Sequence, residues 1–411
     1  MGSKFVNVDR RTPMLLPADL REWVAIGDPV HLVIEAVEQM DLSRFGNQRG
    51  TGSDQYPPAM MLELLIYCYG LGIYSSRRIE AATYRDISVR YLTADTHPDH
   101  DTIATFRRNN KELLELAFVE ILELAVELGV SKLGTIALDG TKLRANASSR
   151  HNRTDAQLRK ELNELRREVK ARVQKANEVD ERETESEALP KELADHRRRK
   201  MAIEAAREAI KRRKQAQKSA SPKGEVANTT DPDSRVQRSS EGFIQGYNAQ
   251  MAVSAESGLI VAAQVCADNQ DRHQLVPTVT AIPSCAGKIS RVVADRGYDN
   301  HEQVKTVEAA CGAKVFVPPQ PPYECRSKQS EARRAVTQER LLRRNRCKSP
   351  LGQKLMRLRR CLVEPVFGTL KSVFRFTRFH LRGLKGANNE WKLLCLAYNV
   401  RKLHRWCLGA A

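Results

Sequence analysis

Thr135-Ile136-Ala137-Leu138-Asp139-Gly140-Thr141-Lys142-Leu143 alternates along its length. In an extended chain Ile136 and Leu138 fall on one face, and Ala137, Asp139 and Thr141 on the other. The residues before it keep a helical period, so Gly134 marks where the chain turns from helices to a sheet. Aspartate sits poorly in a strand, which leaves Asp139 two readings. Either Asp139-Gly140 makes a turn, as that dipeptide often does, or the carboxylate projects beside a bulge as a metal ligand does. The β pattern resumes after it, through Leu143.

Upstream, residues 13–130 read as helical. Pro58 opens a helix through Gly70, with Met61, Leu64, Leu65 and Cys68 on one face. Ser76 and Asp86 are placed to cap two shorter helices. Asp101 is read as the N-cap of a long helix toward Leu128. His97, His100 and Asp101 are turn and capping residues in preference to a metal site. The short helices, ending on Arg107, Arg108 and Lys111, suit either a helix-turn-helix reader of DNA or a structural bundle.

Downstream, from Arg150 to about Pro222, the composition shifts to Lys, Arg, Glu and Ala. Leu158, Leu162, Leu165, Val169 and Val173 give a narrow helical seam. Pro190 introduces a second helix with Ile203, Ala206 and Ile210, and Glu178 to Leu189 is read as the loop between them. The two make an antiparallel hairpin with mixed charges, a solvated coiled coil by default. Beyond it, Phe243 to Val253 and Leu259 to Cys266 form a β-hairpin across Ala255-Glu256-Ser257-Gly258. Asp268, Asp271 and His273 follow, as secondary ligand candidates or as a polar turn. Gln274 to Ile282 reads as a helix. Arg291-Val292-Val293-Ala294-Asp295-Arg296-Gly297 is a buried strand ending on an acid and a glycine turn. A helix over His301 to Cys311 and a strand over Ala313 to Pro318 complete the series.

The expected fold is therefore α/β, a mixed sheet flanked by helices. It divides into N-terminal helices (1–130), a sheet domain (131–149 and 223–411) and an inserted hairpin arm (150–222). An acid at the C-terminal end of a strand points into the crevice where such sheets bind ligands.

Late in the chain, Arg360 to Lys371 splits into two helical faces. Val363, Val366, Phe367, Leu370, Val373 and Phe374 form an apolar stripe, and Arg360, Glu364, Gly368 and Lys371 the opposite one. Pro365 removes a hydrogen bond and disfavours helical geometry at Glu364, so this helix is expected to kink at Pro365 or to begin there.

Charge narrows the function. From Glu324 to Ala411 there are 22 Lys and Arg against 5 Glu and no Asp, so nearly all of the net +18 lies in the last fifth of the chain. Concentrated positive charge is the footprint of a nucleic-acid binder. The most apolar run, Met60 to Ile73, is too short to span a bilayer and holds Glu63. No secretory signal stands at the N-terminus. The nine cysteines show no zinc-like spacing, and Cys68 and Cys395 read as reduced core thiols. A cytoplasmic protein without a membrane partner is expected.

This order of elements resembles the DDE transposases of bacterial insertion sequences, which have a ribonuclease-H-like core. In that family one Asp lies on the first strand, a second at the end of the fourth, and a Glu on a late helix; Asp139, Asp295 and Glu364 match those places. Arg360, Glu364 and Lys371 match the spacing of a Y-x2-R-x3-E-x6-K signature, with Arg357 where the family has Tyr. Pro98-Asp99-His100-Asp101-Thr102, Phe106-Arg107 and the closing Trp391 to Leu403 carry further likeness. The resemblance implies that Asp139, Asp295 and Glu364 are catalytic and hold two Mg²⁺ ions, with Mn²⁺ as a substitute. Arg360, Lys371, Arg375 and Arg296 would contact DNA. It implies cleavage at the ends of a mobile element and strand transfer into target DNA, by a homodimer in the synaptic complex that associates with the nucleoid when bound. The alternatives are a ribonuclease-H-like nuclease without strand transfer and a DNA-binding protein no longer catalytic.

Overall fold

The structure is a computed structural model that describes residues 19–45, 55–180, 189–216, 225–239, 242–320 and 331–409. Among the described residues six α-helices come first: α1 (Pro29–Glu38), α2 (Pro58–Gly70), α3 (Ser76–Arg85), α4 (Ile87–Leu92), α5 (His100–Asn109) and α6 (Lys111–Glu127). Pro58 sits in the first turn of α2, and Asp86 caps α4 by accepting from Val89 N. The later caps differ from expectation. Asp99, not Asp101, accepts from the N–H groups of Asp101 and Thr102. The single long helix toward Leu128 is also two helices, parted at Asn110, whose amide donates back to the Phe106 carbonyl at 2.9 Å. At α3 the N-cap is Ser75 rather than Ser76, without a side-chain capping bond. His97 stacks on Tyr84 and His100 pairs with Glu80, so both histidines pack the turn before α5.

Strand β1 (Thr135–Arg144) then starts the sheet and leads to the arm. The arm stands on two short strands, β2 (Asn152–Thr154) and β3 (Val226–Asn228), which pair antiparallel. Between them α7 (Asp155–Asp180) and α8 (Leu189–Ala216) form the hairpin. Leu158, Leu162 and Leu165 meet Ile203, Ala206 and Ile210 in a small core of their own. Helix α7 runs past Glu178, further than its composition suggested. Residues 181–188 of the acidic segment and the side chain of Val173 lie outside the described residues.

The remaining strands are β4 (Arg235–Ser239), β5 (Gly242–Ser254), β6 (Ile260–Cys266), β7 (Arg291–Val293) and β8 (Lys314–Phe316). One edge of long β5 takes β4 and β6; its other edge pairs antiparallel with β1, which pairs parallel with β7, and β7 with β8. A mixed sheet with helices on both sides is thus what forms. Helix α9 (Leu275–Thr280) follows β6, and α10 (His301–Cys311) crosses from β7 to β8, capped by Asn300 and closed by left-handed Gly312. After these come α11 (Glu331–Lys348), α12 (Pro350–Gly368) and α13 (Gly383–Cys407).

Helix α13 joins the halves of the molecule. It packs on β6 on one side and on α2 and α6 on the other. Asn399 both accepts from Ile260 N and donates to its carbonyl, and Asn388 accepts from Val265 N. These amides satisfy the outer edge of β6, which would otherwise be open to pairing. Buried side chains from Val24 in the N-terminal helices to Leu403 in α13 form one continuous core. Cys68 and Cys395 lie in it as free thiols.

Candidate functional site

The site forms at the middle of β1, where its short parallel neighbour β7 ends. Their parallel register pairs Ala137 with Val293, which sets Asp139 and Asp295 two residues further on along neighbouring strands. Strand β1 runs through Asp139-Gly140 in unbroken register with β5, from Ile136 opposite Ser254 to Arg144 opposite Gly246. The dipeptide is therefore neither a turn nor a bulge. Gly140 has another reason to be glycine: a Cβ there would stand 2.2 Å from Gln250 Nε2 and 3.0 Å from Asp271 Oδ1.

The carboxylates are held by short local bonds. Asp139 Oδ1 accepts from Gly140 N and Asp295 Oδ1 from Gly297 N, both at 2.8 Å. Arg359 Nη1 of α12 donates to Asp139 Oδ2 at 2.8 Å. Burial pushes both carboxyls above their ordinary pKa. Arg359 pulls each of them down, while Asp295 acts on Asp139, and Asp271 on Asp295, to push them further up.

Asp271 enters from the loop after β6. Its Oδ1 accepts from Asn248 Nδ2 and Gln250 Nε2, each at 2.7 Å, with Lys142 Nζ at 3.4 Å. Its Oδ2 lies 3.4 Å from where a Cβ on Gly297 would be, and Asp295 Oδ1 lies 3.0 Å from the same point. The two carboxylates thus close around a glycine, where a Cβ would press both of them. Asp268 instead faces Arg235, and His273 faces Asn300, so only Asp271 of those three reaches the site.

Helix α12 presents Leu355, Arg359, Val363, Val366 and Leu370 inward at successive turns. Ser349 caps it and Pro350 opens it, and it runs through Pro365 without ending. The expectation that it begins at Pro365 fails because its N-terminal signals lie fifteen residues earlier. Arg360, Glu364 and Gly368 share the outer, exposed face, as their spacing indicated. Within the apolar stripe Val373 is the exception, 56% exposed, because the helix changes geometry there. Residues Thr369–Val373 form a π-turn, whose extra residue rotates the chain out of α phase. That rotation brings Lys371 back to β1, where Nζ donates to Thr141 Oγ1 at 2.6 Å.

The predicted residues therefore separate. Asp139, Asp295 and Lys371 gather at the middle of β1 and the end of β7. Glu364 is exposed and, among the described residues, has no hydrogen-bond or ion-pair partner, and no three acidic, His or Cys side chains stand close enough to enclose an ion. Arg296 is exposed beside Asp295, Arg360 is exposed on α12, and Arg375 is exposed after the π-turn. Arg359, Thr141, Asn248 and Gln250 were not singled out from the sequence. The alternation of Asn248 and Gln250 with Tyr247, Ala249 and Met251 in β5 was the available signal. Arg359 left no comparable signal.

Two known family models match the chain. Residues 225–400 match the family model of the transposase DDE domain, and residues 18–109 match that of a transposase domain, DUF772. The chain belongs to the DDE transposases of insertion sequences. Strand β1 with Asp139, and most of the arm, fall between the two matched segments. No curated protein and no solved structure matched in the same comparisons. Among the described residues no helix is long and apolar enough to cross a membrane.

Proposed function

We propose that this transposase cuts DNA at the ends of its element and joins the freed ends to target DNA, using Asp139, Asp295 and Glu364. The observation that carries the reading is the juxtaposition of Asp139, on β1, and Asp295, just past the end of the parallel strand β7, both half-buried and both raised by burial. Two close carboxylates in a poorly solvated crevice favour a bound cation. Their oxygens are the hard donors that suit Mg²⁺, or Mn²⁺ in its place. Asp139 and Asp295 would hold the ions, with Glu364 completing the set from α12. Bound there, two divalent ions would activate the attacking oxygen and stabilise the leaving one.

The protein's own groups do the positioning. Thr141 and Lys371 hold a cationic tip beside Asp139, suited to a phosphate oxygen. Arg360, Arg296 and Arg375 offer exposed charge on the DNA side. In the first step water adds to phosphorus as the bond to the 3′ oxygen breaks, leaving a 3′-hydroxyl and a 5′-phosphate. In the second, that 3′-hydroxyl attacks a phosphodiester of the target, and a target 3′-oxygen leaves. A homodimer would hold two ends together.

The test is incubation with element-end DNA and Mg²⁺, comparing wild type with Asp139→Asn, Asp295→Asn and Glu364→Gln. Each substitution is expected to abolish cleavage and leave DNA binding. Cleavage at the wild-type rate by one of them removes that residue from the site. Cutting without joining to a second DNA would leave a nuclease only.

A further inference from the structure

Beyond Lys371 the chain does something unusual. Arg375 takes a left-handed backbone conformation, φ 59°, although it is not glycine. Its neighbours force this. Phe374 and Phe376 are both buried, and both are fastened back to the π-turn, Phe374 N to the Thr369 carbonyl and Phe376 N to that of Leu370. With two consecutive bulky anchors one residue apart, the residue between them must turn outward.

The Phe374 carbonyl is fixed from the other end of the sequence. Tyr74, in the turn between α2 and α3, donates its hydroxyl to that oxygen at 2.6 Å. Gly72 of the same turn has φ 77°, and a Cβ on it would lie 2.8 Å from the same oxygen. No other residue would fit this approach. A few residues later Arg378 bridges Arg144 at the end of β1, and Phe379 N donates to the Arg144 carbonyl.

Together these contacts leave a groove of about 460 Å³ between the α2–α3 turn and residues 373–378. Its cations are Arg78 from α3 and Arg375 and Arg378 from the opposite wall; His380 also lines it, already paired with Glu390, and among the described residues no carboxylate lines it. All three arginines are exposed, and none has an ion-pair partner among the described residues. Three guanidinium groups around one concavity repel each other unless an anion sits between them. The π-turn whose Lys371 bonds to Thr141, two residues from Asp139 on β1, leads directly into residues 373–378 of this groove.

We infer that Arg78, Arg375 and Arg378 form a seat for backbone phosphates of the DNA held at Asp139 and Asp295. The seat rests on the proposed function and extends it: the N-terminal helices supply one wall of the DNA channel at the catalytic centre. The strained backbone at Arg375 is what aims its guanidinium into the groove.

The test is binding of a labelled duplex by fluorescence anisotropy across a salt series, for wild type, Arg78→Ala, Arg375→Ala and Arg378→Ala. Each variant is expected to bind about three- to tenfold more weakly at moderate salt and to lower the slope of log K against log salt by about one phosphate. Arg375→Gly separates aim from fold: it relieves the left-handed strain, so its melting temperature should not fall while its affinity does. Wild-type slopes in all three alanine variants would overturn the seat, and cleavage by the wild-type enzyme would then still support the proposed function. Lowered slopes in a wild-type background that never cuts DNA would sink the function and keep the seat. Inorganic phosphate binding as tightly as the duplex would overturn the assignment to DNA.

Discussion

Arg359 Nη1 lies 2.8 Å from Asp139 Oδ2, so the first acid of the site is neutralised by a side chain of the same helix that carries Glu364. The pair is largely shielded, with the arginine side chain 11% exposed and the aspartate 21%. A guanidinium there and a divalent ion on the same oxygen compete for one place. Arg359 Nε is buried without a partner, so the arginine is only partly satisfied where it stands.

Arg359→Met should therefore act in two directions. Without metal it loses about 2–3 kcal/mol of stability, less than a fully buried pair because Asp139 keeps some water. On addition of Mg²⁺ its melting temperature should rise more than that of wild type, since no side-chain cation has to leave. A thermal melt with and without Mg²⁺ checks this. An equal rise in both proteins would mean that the guanidinium and the metal do not compete.

Asp271 is aimed by Asn248 and Gln250 and leans toward Asp295. Asp271→Asn should cut the cleavage rate by about 10- to 100-fold, the usual scale for a residue that orients a ligand, with DNA affinity unchanged. Single-turnover cleavage under saturating protein reads this. Complete loss would place Asp271 among the ligands themselves.

Glu63 lies in α2, 6% exposed, and burial followed by repulsion from Glu38 pushes its pKa from 4.5 up to about 7. Between those values the folded chain keeps a proton that the unfolded chain releases, so stability falls as pH rises through this window. Glu63→Gln should match wild type near pH 4 and exceed it at pH 8 by about 2–3 kcal/mol. Urea denaturation at the two pH values decides the point, and a constant difference would show that Glu63 does not titrate on folding.

Arg343 and Asp299 form a buried pair at 2.7 Å, with side chains 7% and 3% exposed, and Asp299 also accepts from Gln320 N. The pair ties α11 to the loop after β7. Arg343→Ala should cost about 3–5 kcal/mol by leaving a carboxylate buried and unpaired. Equilibrium unfolding measures the loss, and a cost under about 1 kcal/mol would mean that water reaches Asp299.

Much of this fold was legible because its strands are periodic and some of its caps, such as Asp86, ordinary. The hairpin of β5 and β6, the strand into Asp295 and the helix His301–Cys311 follow from alternation, a glycine turn and an asparagine cap. Several of the misread places share a cause: a local signal was outweighed by a contact distant in sequence. Asp139-Gly140 looks like a turn, yet the glycine is there for Gln250, 110 residues on. The role of Arg359 was hidden because a helix wheel shows phase and not which face meets the sheet. The π-turn that returns Lys371 to Thr141 has no composition signature at all, and only the packing of Phe374 and Phe376 reveals it.

The paired feet of the arm, β2 and β3, have a consequence for how the chain reaches this state. Strand β1 leaves the ribosome long before β5 and β7, its partners on either side, and pairing over such separations is slow. Helices α7 and α8 need only each other, so the hairpin can form first and draw its ends together. The closure between β1 and β5 then spans a few dozen residues in effect, which lowers its entropic cost by about 1 kcal/mol. Cutting the pairing of Asn152–Thr154 with Val226–Asn228, while leaving both helices, should slow refolding more than it lowers final stability.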